Sequence, residues 1–141
     1  MTFSALDSAL TGPLFATQEM RDVFSDAARV TAMLRVEAAL ARAEAKAGLV
    51  PKGLAAAITR ITAADFDVTE IGARTADAGV PSIPFLKALE KKLPEGMARG
   101  LHLGATSQDL IDTALVLQMT AAFDLVAADL AAVLAGLARL A

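Results

Sequence analysis

One segment of the 141-residue sequence gathers the residue types that can do chemistry: Leu101-His102-Leu103-Gly104-Ala105-Thr106-Ser107-Gln108-Asp109. Thr106 with Asp109 three residues on has the spacing of a capping box, with Asp where Glu or Gln is usual. Thr106 and Ser107 place two hydroxyls beside the unpaired N–H groups of a helical first turn. Gly104 allows a positive φ or a close backbone approach. Such a helix head attracts a carboxylate or a phosphate. The same residues also serve as a plain cap, which is the commoner use, and a lone His102 is as ordinary in a structural hydrogen bond as in catalysis. On residue types alone the plain cap and the structural histidine are the stronger readings.

Other positions offer less. Glu37 and Glu44, seven apart on one helix face, have a spacing that a paired acid–base or metal site could use, but neighbouring Arg35, Arg42 and Lys46 favour ordinary surface pairing. Lys87, Lys91 and Lys92 form a basic edge read as solvated. Met20, Met33, Met97 and Met119 share no spacing and read as core filler. There is no Cys, which excludes thiol catalysis, disulfides and Cys-ligated zinc, and His102 is the single His, so no metal site or relay can be built on two imidazoles of these residues. A net charge of −3 with 13 Lys and Arg lacks the footprint of a nucleic-acid partner.

These residues need elements to hold them. With 55% hydrophobic and 21% charged residues and a mean hydropathy of +0.52, intrinsic disorder is ruled out. The 33 Ala and 20 Leu against 9 Gly and 5 Pro predict an all-α chain. Residues 1–16 read as an irregular arm. Thr17 caps a short helix over 18–24, and Ser25 caps a longer one over 26–47. In the latter Val30, Leu34, Glu37, Ala41 and Glu44 repeat with amphipathic rhythm, and Gly48 and Pro51 end it. Pro51 is expected to open the next helix, to about residue 61. Helices over 68–78 and 84–93 follow, then a loop over 94–100.

The last segment differs in kind. From 107 to 141 there is no Pro and only Gly136, so one helix of about 50 Å is expected. Leu110, Ala114, Leu117, Ala121, Leu125, Leu134 and Leu137 line one seam, while Ile111, Leu115, Val126, Leu130 and Val133 cover other faces. A helix apolar on most sides is normally buried in a larger bundle. The preceding residues are too few to cover it, so the sequence reads as the front part, or a remnant, of a longer oligomeric protein. The longest charge-free run there, 113–123, falls short of the ~18 residues of a membrane span. The first ten residues carry Asp7 and no basic flank of a signal peptide. A soluble, cytoplasmic protein is expected.

His102-x-Gly104-Ala105-Thr106-Ser107-Gln108-Asp109-x-x-Asp112-Thr113 resembles the first signature region of the fumarase/aspartase superfamily. The wording through Ile111 to Gln118 is similar to its 3-carboxy-cis,cis-muconate cycloisomerase branch. So are Met20 to Asp26, Val36 to Glu44 and Ile83 to Leu89, which look like the N-terminal domain of that branch. The resemblance covers essentially the whole chain, in order. It implies an all-α N-terminal helical domain over 1–100, with the signature segment and the first helix of a central bundle over 101–141. It also implies a homotetramer whose active sites are each built from three subunits. The implied reaction converts a small tricarboxylate, 3-carboxy-cis,cis-muconate, to 4-carboxymuconolactone without cofactor or metal, in protocatechuate degradation (the beta-ketoadipate pathway).

The resemblance puts Thr106 and Ser107 on a substrate carboxylate, with His102 and Gln108 as neighbouring contacts. Gly104, Asp109 and Asp112 take structural parts. Where some relatives carry Asn this chain has Val80, and Ser82 is the nearby polar residue that could compensate. The superfamily's second signature, with its His, and its third, a mobile Gly-Ser-Ser loop with the catalytic base, match nothing here. Catalytic residues are therefore expected beyond Ala141, and the 141 residues alone are expected to be inactive. Two other readings stay open: an adenylosuccinate lyase-like member, which shares Thr-Ser-x-Asp but would need a phosphate-binding set, and a non-catalytic helical oligomerisation module.

Overall fold

Side-chain caps and prolines set where the helices begin. The computed structural model describes residues 4–141, the side chain of Asp7 apart, so the first three residues of the expected arm lie outside the described residues. Within the arm, a 3₁₀ turn (Ala5–Asp7) and a one-turn helix α1 (Gly12–Phe15) replace the irregular chain expected from the sequence. Pro13 is the local cause: in a first turn its fixed φ suits the helix and its missing N–H would be unpaired anyway.

Helix α2 (Gln18–Val23) starts where Thr17 Oγ1 accepts the Met20 N–H at 3.2 Å. Helix α3 (Asp26–Lys46) starts where Ser25 Oγ accepts the Ala28 N–H at 3.2 Å. It ends in a Schellman turn: Gly48 takes φ 78°, and the Leu49 N–H donates to the Glu44 carbonyl at 2.9 Å. Helix α4 (Leu54–Thr59) is shorter than expected. Pro51 does not open it; the Pro51 carbonyl accepts the Leu54 N–H at 3.0 Å and closes a turn ahead of the helix.

Helix α5 (Val68–Ala78) is capped by Asp67, whose Oδ1 accepts the Glu70 N–H at 3.0 Å. Helix α6 (Ser82–Glu90) begins ahead of Pro84 instead of at it, because a proline anywhere in a first turn removes no helical hydrogen bond. The stretch to Leu93 then runs on as turns. Helix α7 (Ser107–Leu140) is unbroken over 34 residues.

The core forms around α3. Val30, Met33, Leu34, Ala38 and Ala41 face Leu54 and Ile58 of α4 on one side and Leu110 and Ala114 of α7 on the other. Burying one of the larger of these side chains, such as Leu54 or Ile58, contributes about 1.5–3 kcal/mol. Phe85 and Leu89 of α6 complete the cluster, with Phe85 stacked on Phe66 at 5.5 Å between ring centres. Lys92, exposed like Lys87 and Lys91 of the basic edge, lies over the Phe66 ring, 5.2 Å from its centre.

Only the start of α7 is covered. Leu110, Ala114 and Gln118 are buried, and Gln118 Nε2 donates to the Val23 carbonyl at 2.7 Å, tying α7 to the end of α2. Beyond Gln118 no residue of α7 is buried, so the expected seam is packed at its first two members and open at Leu134 and Leu137. By length and composition α7 is also apolar enough to cross a membrane. Counting only charge-free runs missed this, because a few widely spaced aspartates interrupt such runs without making the helix polar.

Candidate functional site

The segment 102–109 brings a left-handed turn to the head of α7. His102 has φ 56°, the one positive value among the described residues other than glycine, and Gly104 follows at φ 69°. A Cβ at Gly104 would meet nothing within 4 Å, so the backbone angle and not the space calls for glycine.

Thr106 then caps α7 reciprocally. Its N–H and its hydroxyl both donate to Asp109 Oδ2 at 2.8 Å, and the Asp109 N–H donates back to Thr106 Oγ1 at 3.3 Å. The hydrogen bonds from the Thr106 backbone and hydroxyl hold the Asp109 carboxyl below its ordinary value of 3.8, and the nearby His102 ring acts in the same direction. Thr106 is thus occupied within the cap. Ser107 is half-buried, and its hydroxyl makes no hydrogen bond among the described residues. With the first-turn amides of Ser107 and Gln108, it is what this helix head can offer an anion. Gln108 Nε2 donates to Asp112 Oδ1 at 2.5 Å along the exposed face of α7.

The His102 ring has a partner that sequence reasoning did not supply. Nδ1 lies 2.6 Å from Glu37 Oε1, across 65 residues of sequence. Glu37 is 1% exposed and its Oε2 has no hydrogen-bond partner among the described residues; Glu44 is buried with its Oε2 equally unpaired among them. The expected surface pairing of Glu37 and Glu44 with Arg35, Arg42 and Lys46 is therefore corrected. Both carboxyls fall on the face of α3 set by Val30, Leu34 and Ala41, while Arg35, Arg42 and Lys46 are exposed. Their place in that rhythm was the available signal, outweighed in the sequence by the neighbouring Arg35, Arg42 and Lys46. Burial pushes the Glu37 carboxyl above its ordinary value of 4.5; the hydrogen bond and charge of His102 oppose the rise, and Glu44 adds to it.

The structure brings Glu37, His102, Thr106 and Asp109 into one neighbourhood. Ser82 stands apart: it opens α6 fully buried, its hydroxyl is unpaired among the described residues, and no hydrogen bond links it to 102–109. A groove of about 820 Å³ between α3, α4 and α7, lined by Leu34, Ala38, Ile58, Thr113 and Leu117, includes none of the candidate residues. Ser107 thus sits outside that groove.

No family model matches the chain. The solved structure of 3-carboxy-cis,cis-muconate lactonizing enzyme from Pseudomonas putida matches with a TM-score of 0.82 and 47% identity, over 87% of this chain and 29% of that one. N-acetyl-S-(2-succino)cysteine lyase of Enterococcus italicus is 39% identical over 128 residues, 90% of this chain and 28% of that protein. The chain belongs to the fumarase/aspartase superfamily, with the all-α architecture of its members. Within that superfamily, 3-carboxy-cis,cis-muconate cycloisomerase of Pseudomonas putida is 48% identical over 134 residues, 92% of this chain. The chain spans about 31% of the length of that relative.

Proposed function

We propose that this chain is the N-terminal part of a 3-carboxy-cis,cis-muconate cycloisomerase and supplies one carboxylate-binding wall of its active site. The observation that carries this reading is the 48% identity over 134 residues to the Pseudomonas putida enzyme of that name. In the reaction a carboxylate oxygen of the substrate adds to a carbon–carbon double bond. One C–O bond closes the lactone, and a proton is delivered to the carbon beside another carboxylate. Negative charge builds towards that carboxylate, and fixed donors that meet it lower the barrier. The Ser107 hydroxyl and the amides at the head of α7 are such donors, held in place by Thr106 and Asp109. His102 and Gln108 border the same position; Ser82 is a more distant candidate contact, and Gly104 and Asp112 keep the backbone and the helix surface in order. The acid and base come from outside these 141 residues, and the reaction uses no cofactor.

The rest of the reading concerns assembly. Residues 1–100 form the helical domain and 101–141 begin a central bundle of a homotetramer. The exposed faces of α7 are covered there by other copies, in a soluble, cytoplasmic enzyme. Each active site draws on three subunits, which fits a wall that stands open in one chain. A second reading, a lyase acting on another carboxylate-bearing substrate, has the 39% identity to N-acetyl-S-(2-succino)cysteine lyase in its favour.

The test is Ser107→Ala in the complete protein, assayed on both substrates. Loss of carboxymuconate turnover by about 10²–10³-fold with helicity intact is the expected outcome. Unchanged turnover removes Ser107 from the site. A wild-type protein active only on the succinocysteine substrate establishes the second reading.

A further inference from the structure

The contact between Glu37 and His102 does more than pin a turn. We infer that Glu37 is a positioning residue whose buried carboxylate keeps the proton on His102 Nδ1 and leaves Nε2 as the ring's one free nitrogen for a ligand. The inference rests on the carboxylate-site reading only for what Nε2 would meet.

Three observations carry it. First, the 2.6 Å separation is at the short end for a nitrogen–oxygen hydrogen bond, as charge-assisted bonds are. An ionised carboxylate can only accept, so a ring nitrogen this close to it must carry the hydrogen. Second, among the described residues His102 is the one hydrogen-bond partner of Glu37. With 1% exposure and Oε2 unpaired, the carboxylate has no water-facing side and no other donor among the described residues. Third, His102 occupies a left-handed backbone position at φ 56° that L side chains rarely adopt. Such strain persists where the surroundings over-determine it. Here the turn aims Nδ1 inwards at α3, while Nε2 makes no hydrogen bond among the described residues.

The consequence is a ring whose chemistry is confined to one atom. When the imidazole is charged, Nε2–H donates to a carboxylate. When it is neutral, Nε2 accepts from a hydroxyl or an acid. In both states Nδ1 stays with Glu37, as an imidazole's second nitrogen does when a carboxylate fixes its tautomer.

Because the chain holds one histidine, its ring nitrogens can be read without assignment from ¹⁵N-histidine-labelled protein by long-range ¹H–¹⁵N NMR, above the pH where the ring loses its charge. The expected neutral form carries hydrogen on Nδ1 in the wild type. In Glu37→Gln, whose amide can turn a donor towards Nδ1, the ratio of Nδ1–H to Nε2–H falls by about tenfold or more. Packing alone would not move that ratio. A wild-type ring protonated on Nε2, with a neutral Glu37 donating to Nδ1, overturns the inference without any variant. So does a helical Glu37→Gln whose ratio is unchanged. No substrate is present in this measurement, so its failure leaves the cycloisomerase reading untouched, and failure of the Ser107→Ala assay leaves the tautomer result standing.

Discussion

Glu37 Oε1 and His102 Nδ1 lie 2.6 Å apart, and the contact fastens the core face of α3 to the turn that leads into α7. Its two members are not equivalent. His102 retains 15% side-chain exposure and can turn a nitrogen to water, whereas Glu37 cannot. Removing the ring with His102→Gly, which keeps the left-handed backbone comfortable, strands a buried carboxyl. The expected loss is about 2–3 kcal/mol in a denaturant titration. Glu37→Leu removes the buried charge and is expected to cost no more than about 1 kcal/mol. The reverse order would mean that Glu37 is not the dependent partner.

The pH dependence of stability divides between carboxyls of opposite sign. Asp109 and Asp65 are both held below the ordinary 3.8 by hydrogen bonds from Thr106 and Thr62. The unfolded chain therefore takes up these protons first. Their contribution is complete above about pH 4 and is lost as the pH falls through the lowered folded values. Glu37, raised above 4.5, works the other way. The folded state keeps its proton longer, so stability declines as the pH rises from 4.5 through the raised value. Urea midpoints measured across about pH 3–7 should show Asp109→Asn flattening the acid limb and Glu37→Gln flattening the decline above it. An acid limb as steep in Asp109→Asn as in the wild type would remove Asp109 from this account.

Much of this was legible in the sequence where local chemistry decides. The Thr106–Asp109 capping box, the Thr17 and Ser25 caps and the full extent of α5 follow from residues within one turn of each other. What was missed depends on contacts across the chain or on competing local signals. Glu37 sits on the apolar face of α3, but its partner His102 lies 65 residues on, and no spacing rule reaches that far. Pro13, Pro51 and Pro84 all fit a first turn, and only packing decides whether a proline opens a helix, precedes it or sits inside its start. The chemistry of 102–109 was legible as a helix head. That Thr106 is fully engaged and Ser107 free was not, because it depends on which hydroxyl meets Asp109.

That division of labour gives a paired prediction. Thr106→Ala removes the acceptor for the Asp109 N–H and the donor to its carboxylate, and should cost about 1 kcal/mol of stability. Ser107→Ala touches no side-chain hydrogen bond among the described residues and should stay within about 0.5 kcal/mol of wild type. Thermal or urea unfolding of the two variants checks this. A Ser107→Ala loss as large as that of Thr106→Ala would make Ser107 part of the cap and no longer a free donor.

The far half of α7 carries its own consequence. Leu130, Val133, Leu134 and Leu137 are spaced i, i+3, i+4 and i+7, and each is 57–66% exposed, so they form one continuous apolar stripe on a single helix face. In water that stripe favours association, with about 1.5–3 kcal/mol for each such side chain that becomes buried. The chain is expected to self-associate, and its sedimentation mass should rise with concentration. Placing a like charge twice on the stripe, with Leu130→Glu and Leu137→Glu, removes two apolar anchors and adds repulsion across the symmetric contact. The midpoint of association should move up by about tenfold or more. The buried start of the helix at Leu110 and Ala114 is untouched by these changes, so helicity should hold. A wild-type chain that stays monomeric at about 100 μM, well above the range of stable assembly, would mean that copies of this helix do not cover one another.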